Sequence, residues 1–322
     1  MTYTSGSLIV ATDYNGFVND TAGANVNDIW ATGATDKGYG QTAISTVAAT
    51  NTITATQWAS LVNNLASLGS HQGTAITSRA APTVGTTISI LSAVNTDLTN
   101  CTTNRGNAAG SGSQYTGWTG TNSKTTSTTG AFTITFTNTI TFPSAAGARY
   151  FWNAGGLVKI QVGKSATGQT GDPEWNDLAT TLCGAIWISG RVNGAAQTIA
   201  GTSYSGTKQI GGTGTPTTLA TTTGWYTLTA GAGATTVYKQ FADSSPYTAN
   251  YIQHTLAKGA GADTLVISTT WVNPEGDTIS GGTAASGATV GTAPCTIVTY
   301  YPPSTTYLTA AWGTPSVAAT VA

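Results

Sequence analysis

The spacing of apolar residues changes character along the chain, from helical periods in the first hundred residues to alternation in the remainder. From Thr54 to Leu68, the residues Trp58, Leu61, Val62, Leu65 and Leu68 fall on one face of a 3.6-residue helix, with Asn63, Asn64 and Ser67 opposite. Thr54 or Thr56 offers an N-cap hydroxyl, and Gly69 is placed to end the helix in a left-handed turn. A second helix is predicted from Thr87 to about Thr102, where Ile88, Leu91, Val94, Leu98 and Cys101 recur in heptad-like steps. A third, Thr12–Asp20, shares Tyr14, Phe17 and Val18 on a face but carries Gly16, at a cost of ~1 kcal/mol. Isolated helices this short are marginal in water, so all three must pack on something. Residues 106–128 are Gly, Ser, Thr and Asn with little else beyond Tyr115 and Trp118, the composition of a linker or long surface loop.

From Ala131 to Phe142 apolar residues alternate with threonine, which turns Phe132, Ile134 and Phe136 inward and Thr133, Thr135 and Thr137 outward. Further strands are predicted at Arg149–Trp152, Leu157–Val162, Cys183–Val192, Trp225–Thr229, Thr235–Phe241, Asn250–Leu256, Asp263–Trp271 and Cys295–Tyr301. One helix, Asp172–Leu182, interrupts them, opened by Asp172-Pro173. Strand after strand with glycine-rich turns implies a mainly β chain. The expected organisation is a helical docking and oligomerisation region over 1–105, a linker over 106–128 and an antiparallel, jelly-roll-like β-sandwich over 129–322.

Composition narrows the function. Of 322 residues, 67 are threonine and 7% are charged, against about 25% in an ordinary domain. Threonine is β-branched and carries a hydroxyl, so it favours extended backbone while accepting water on an exposed sheet face. Lysine-poor edge strands then favour pairing with another chain. A formal charge of −1 cannot supply the basic footprint of a nucleic-acid partner. No apolar stretch is long enough for membrane insertion, and Met1-Thr2-Tyr3-Thr4 lacks the basic and apolar regions of a signal peptide. Cations cluster as Arg105, Lys124, Arg149, Lys159 and Lys164 in a middle segment without acids, too sparsely to grip phosphates. Cys101, Cys183 and Cys295 are scattered, without metal or disulfide spacing, and read as buried small hydrophobes.

Candidate chemistry is thin. His71 and His254 stand alone and read as structural, and neither has clustered ligands for a metal. No Gly-x-Ser-x-Gly nucleophile elbow occurs. Asp172, Glu174 and Asp177, or Glu275 and Asp277, offer carboxylate pairs of the kind that hydrolyse glycosides, but helix capping and turn chemistry account for both groups. Gly259–Gly261 and Gly212–Gly214 lack the strand–helix context of a phosphate loop. Catalytic residues, cofactor and metal are therefore expected to be none. Aromatic side chains beside polar loops (Trp118, Trp225, Tyr226, Tyr300, Tyr301, Tyr307) could anchor a partner or stack on a glycan. Of these, Trp118, Trp225 and Tyr226 are the favoured contacts.

Several phrases, touching about a third of the chain in consistent order, resemble a type of tailed-bacteriophage virion protein found in marine phages and cyanophages. They are Ala11-Thr12-Asp13-Tyr14-Asn15, Gly38-Tyr39-Gly40-Gln41, Ile53-Thr54-Ala55-Thr56-Gln57-Trp58 and His71-Gln72, then the run from Ala148 through Arg149-Tyr150-Phe151-Trp152-Asn153 to Gly156. Trp175-Asn176-Asp177-Leu178, the run from Ser245 to Ile252, and Asp263–Val272 complete the set. The resemblance implies a non-enzymatic structural component of a tail, neck or fibre, located in the virion and made in the host cytoplasm. Its partners would be other virion proteins and copies of itself, trimeric as fibres often are. The expected oligomer interface is Ile88, Leu91, Val94 and Leu98 with Trp58, Leu61 and Leu65. Alternatives are a receptor-binding adhesin for host surface glycan or a capsid decoration protein, with a polysaccharide depolymerase last.

Overall fold

The computed structural model describes residues 9–19, 23–85, 91–117, 131–164, 172–274, 278–280, 283–285 and 295–322. Helices come first: α1 (Ala11–Asn19), α2 (Val26–Trp30), α3 (Ala55–Gln72) and α4 (Leu91–Thr103). In α3 the Thr54 hydroxyl accepts the Gln57 backbone N–H while the Gln57 side chain accepts that of Thr54, a reciprocal capping box. The helix does not stop at Gly69. It runs one turn further and closes on Gly73 at φ 68°. Gly69 serves close packing instead, because an ideal Cβ there would sit 3.0 Å from the Thr74 carbonyl oxygen and 3.1 Å from Ile76. The spaced residues of α3 are buried as its periodicity predicts, and α1 lays Tyr14 and Phe17 on Trp58.

The remaining chain is mainly β. One sheet orders β1 (Tyr115–Thr116), β14 (Cys295–Tyr301), β3 (Leu157–Gly163), β4 (Ala185–Ile188) and β7 (Thr207–Ile210). The other orders β15 (Ser316–Val321), β2 (Phe132–Thr141), β11 (Thr264–Asn273), β10 (Tyr251–Lys258), β9 (Thr235–Phe241) and β8 (Thr218–Leu219). Every strand pair in both is antiparallel. Strands β9, β10 and β11 form a consecutive meander, which β2 and then β15 extend beyond β11. Small hairpins β5–β6 (Gln197–Ile199, Thr202–Tyr204) and β12–β13 (Thr278–Ser280, Thr283–Ala285) stand apart. In β2 the alternation is realised: Ile134, Phe136 and Ile140 are buried while Thr133 is exposed. One continuous apolar core joins the two sheets and the amino-terminal helices, from Leu61, Leu65 and Leu98 through Phe136 and Ile267 to Ile160 and Ile186. This is a sandwich-like arrangement with helices sharing its core.

Some expected strands take other forms. Arg149–Trp152 belongs to helix α5 (Ala145–Asn153), which Ser144 caps by accepting the Gly147 N–H. Aromatic residues favour strands in isolation, but the cap and the Ala145-Ala146-Gly147-Ala148 run ahead of them start a helix that buries Ala148, Phe151 and Trp152. Trp225–Thr229 contains a single 3₁₀ turn, Trp225–Thr227. Asp172–Leu182 is helical, as α6 (Asp172–Asp177) followed by a π-helical turn. Residues 106–117, read from composition as linker, lie against the sheets: Ala108 is buried and bridges to Ile199, and β1 pairs with β14.

Candidate functional site

The residues expected to form an oligomer seam are used inside the chain. Val94, Leu98, Trp58, Leu61 and Leu65 are each at most 2% exposed and belong to the continuous core, which corrects their assignment as an interface. Their periodicity was the signal of an amphipathic face, and the neighbouring helices supply what that face packs on. Ile88 and the side chain of Leu91 lie outside the described residues. Of the aromatic contacts, Trp118 also lies outside them. Trp225 is 3% exposed and stacked on Trp152 at 5.6 Å, which removes it as a glycan contact. Tyr226 is half-buried and donates its hydroxyl proton to Asn153 Oδ1.

Three of the phrases that carry the family resemblance meet at one seam between the helices and the sandwich. Tyr39 donates to the Arg105 carbonyl at 2.7 Å and accepts from Gln72 Nε2 at 2.9 Å. His71 Nε2 donates to the Ala154 carbonyl at 3.0 Å, and Asn153 Nδ2 donates to the Gly38 carbonyl at 2.9 Å. Gly40, at φ 73°, lets the Tyr150 ring approach to where a Cβ would stand 2.5 Å away. Gln41 bridges onward to Thr309 through both its amide oxygen and nitrogen. Residues 38–41, 71–72 and 149–156 are thus tied into a largely buried polar clamp by these hydrogen bonds, although the Arg149 Nε and Trp152 indole N–H groups within it find no partner among the described residues.

The two histidines and the thiols of Cys101 and Cys183 are held in their neutral forms. Burial pushes His71 down to about 4, against the smaller upward pull of its bond to Ala154. Burial likewise pushes His254 down to about 3, and its Nδ1 lies 2.9 Å from Thr269 Oγ1 across β10 and β11. The Cys101 and Cys183 thiols are both pushed up to about 12, chiefly by burial, so neither supplies a thiolate. Glu174, Asp177 and Asp243 each bring a carboxylate oxygen within 4.8 Å of the others. Burial first, then Asp243 and Asp177, raise the Glu174 carboxyl above its ordinary range. Asp243 is exposed, and such a gathering is common on protein surfaces without an ion. Glu275 and Asp277 lie outside the described residues, and of Asp172 only the backbone is described.

Two surface features were not legible in advance. Strand β15 edges its sheet with the neutral run Ser316-Val317-Ala318-Ala319-Thr320-Val321, and among the described residues nothing pairs with its outer side. Its β-branched residues Val317, Thr320 and Val321 were a signal, diluted by two alanines. The other is an open groove of about 590 Å³ beside β1 and β14, where Tyr115, 45% exposed, stacks on Tyr300 with ring centroids 4.7 Å apart. Comparison with protein-family models, with curated proteins and with solved structures yields no match.

Proposed function

We propose that this protein is a non-enzymatic structural component of a tailed-phage virion, a tail, neck or fibre protein that assembles by contact between copies. The phage assignment rests on the sequence phrases. Assembly rests on the β15 edge, the single observation that carries it. Sheet edges are ordinarily protected by brevity or by charge. Strands β1 and β8 are two residues each, and the four residues of β7 include Lys208. Strand β15 has six residues and no charge.

Its hydrogen-bonding pattern makes the free side specific. Ala322 and Thr135 exchange both backbone bonds, at 2.9 and 3.0 Å. Antiparallel ladders alternate, so Thr320, Ala318 and Ser316 also face β2, while Val321, Ala319 and Val317 turn their backbone groups to the open edge. A second copy of the same strand, antiparallel across a two-fold axis, satisfies those groups without placing like charges together.

Ala319→Pro removes one outward N–H and leaves the β2 ladder intact. Light scattering on the wild-type chain is expected to give a homo-oligomer, and Ala319→Pro a smaller species with unchanged circular dichroism. A wild-type chain that stays monomeric at all concentrations, or an assembly indifferent to this substitution, would refute the reading.

A further inference from the structure

From the groove beside β1 and β14 we infer a second capacity, independent of assembly through β15: binding of a neutral saccharide on the exposed face of Tyr115. Its volume of about 590 Å³ lies within the range of small-ligand clefts, about 300–1,000 Å³. Its construction is rigid. Tyr115 and Tyr300 are directly opposed in the β1–β14 register, and their rings are stacked at an interplanar angle of 26°. Tyr300 is buried and donates its hydroxyl proton to the Pro315 carbonyl at 3.1 Å. Ser111 bridges to Pro303, and Gly112 donates to the Pro302 carbonyl at 2.7 Å. An ideal Cβ at Gly112 would stand 2.2 Å from that carbonyl oxygen, so only glycine lets the two walls close this far.

The lining selects the chemistry of the ligand. Among the described residues no Asp, Glu, Lys, Arg or His lines the groove, so a sulfated, sialylated or phosphorylated ligand would find no described partner for its charge. The polar groups are hydroxyls and one amide: Ser111, Ser113, Gln114, Ser304, Thr305 and Thr314. A purely apolar ligand would strip water from these and return no hydrogen bond. A pyranose suits both demands, with C–H groups on one face for an aromatic ring and hydroxyls around its rim. The rival occupant of a groove rich in Tyr, Trp and Pro is a proline-rich peptide, which docks along several aromatic ridges. Here Tyr300 and Trp312 are 4% and 2% exposed, which leaves one open ring and favours the sugar.

The test uses the full chain on an array of neutral, sialylated and sulfated glycans, followed by calorimetric titration with the strongest ligand. Neutral glycans are expected to bind, with an affinity that does not fall as salt is raised. Tyr115→Ala should weaken binding by about tenfold, while Tyr115→Phe retains it. Gln114→Ala, at an exposed position that bears no packing, should weaken it severalfold and guards against a folding artefact in the first variant. Binding only to charged glycans, no binding to any glycan, an unchanged affinity in Tyr115→Ala, or displacement of the glycan by a proline-rich peptide would each overturn the inference.

Discussion

The helical third and the sheets treat charge in opposite ways. Among the described residues, the ion pairs are Lys37–Asp28, Arg79–Asp97 and Arg105–Asp36, all before residue 106. Two are buried: the Arg79 and Asp97 side chains are 2% and 4% exposed, those of Arg105 and Asp36 9% and 14%. In the sheets, cations lie over rings instead. Lys239 sits 3.7 Å from the centre of the Tyr251 ring, Lys258 sits 4.4 Å from that of Trp225, and Lys159 is shared between Trp187 and Tyr301 at 5.5 Å. The difference follows from where acids fall in the sequence. Loops between helices can fold a distant aspartate onto an arginine, whereas a strand residue meets mainly its cross-strand neighbours. Those of Lys159, Lys208, Lys239 and Lys258 are Trp187, Thr299, Gln253, Thr218 and Leu265, with no carboxylate among them. Lys159, Lys208, Lys239 and Lys258 are thereby placed over aromatic rings rather than beside carboxylates.

The largest expected effect breaks the helical side of that contrast. Asp97 accepts from Arg79 and from the Thr77 backbone N–H, so Asp97→Ala strands a buried guanidinium and should cost about 3–5 kcal/mol. Urea denaturation measures this, and a loss below 1 kcal/mol would mean the pair behaves as a surface one.

The histidines put one titration in each region. Their folded pKa values, about 4 for His71 and about 3 for His254, lie below the unfolded value near 6.5. As pH falls from about 6.5 toward 4, the unfolded chain takes up both protons and the folded chain does not. Stability should therefore decline by about 1.4 kcal/mol per pH unit for each histidine. Glu174, raised by burial, opposes the decline slightly. Denaturation midpoints measured between pH 7 and 5 should fall, and His254→Gln should halve the slope; a flat profile contradicts the buried neutral imidazoles. The smallest effect lies in the sheets. Lys239→Gln should cost only about 0.5–1 kcal/mol by thermal melting, because a half-buried cation over a ring is worth little more. A cost matching that of Asp97→Ala would erase the distinction between the two regions.

Wherever a single period governs a segment, its structure was legible. The inward set of β2 and the face of α3 follow from alternation and 3.6-residue spacing, and the exact span of β14 from its run of β-branched and aromatic residues. Legibility failed where a local cue outranked residue type. Ser144 starts a helix through three strand-favouring aromatics, Tyr150, Phe151 and Trp152, and Gly224 opens a tight turn at Trp225. It failed differently at the proposed sites. The amphipathic stripe of α4 identifies Val94 and Leu98 as buried without saying against what, and α1, α2 and α3 of the same chain prove to be the elements packed on it. Tyr115 offered only an aromatic in a polar stretch, and its meaning depends on Tyr300, 185 positions away, lying opposite it.

By itself, then, the sequence determined the two periodic regimes, the neutral threonine-coated strands and the shortage of ionisable groups, because these depend on local spacing and composition. Tertiary structure alone decided which apolar faces were covered, that residues 38–41, 71–72 and 149–156 lock together, and which strand has an edge that no described residue pairs. Those outcomes depend on which distant segments come to lie side by side, and no period or count along a chain encodes that neighbourhood.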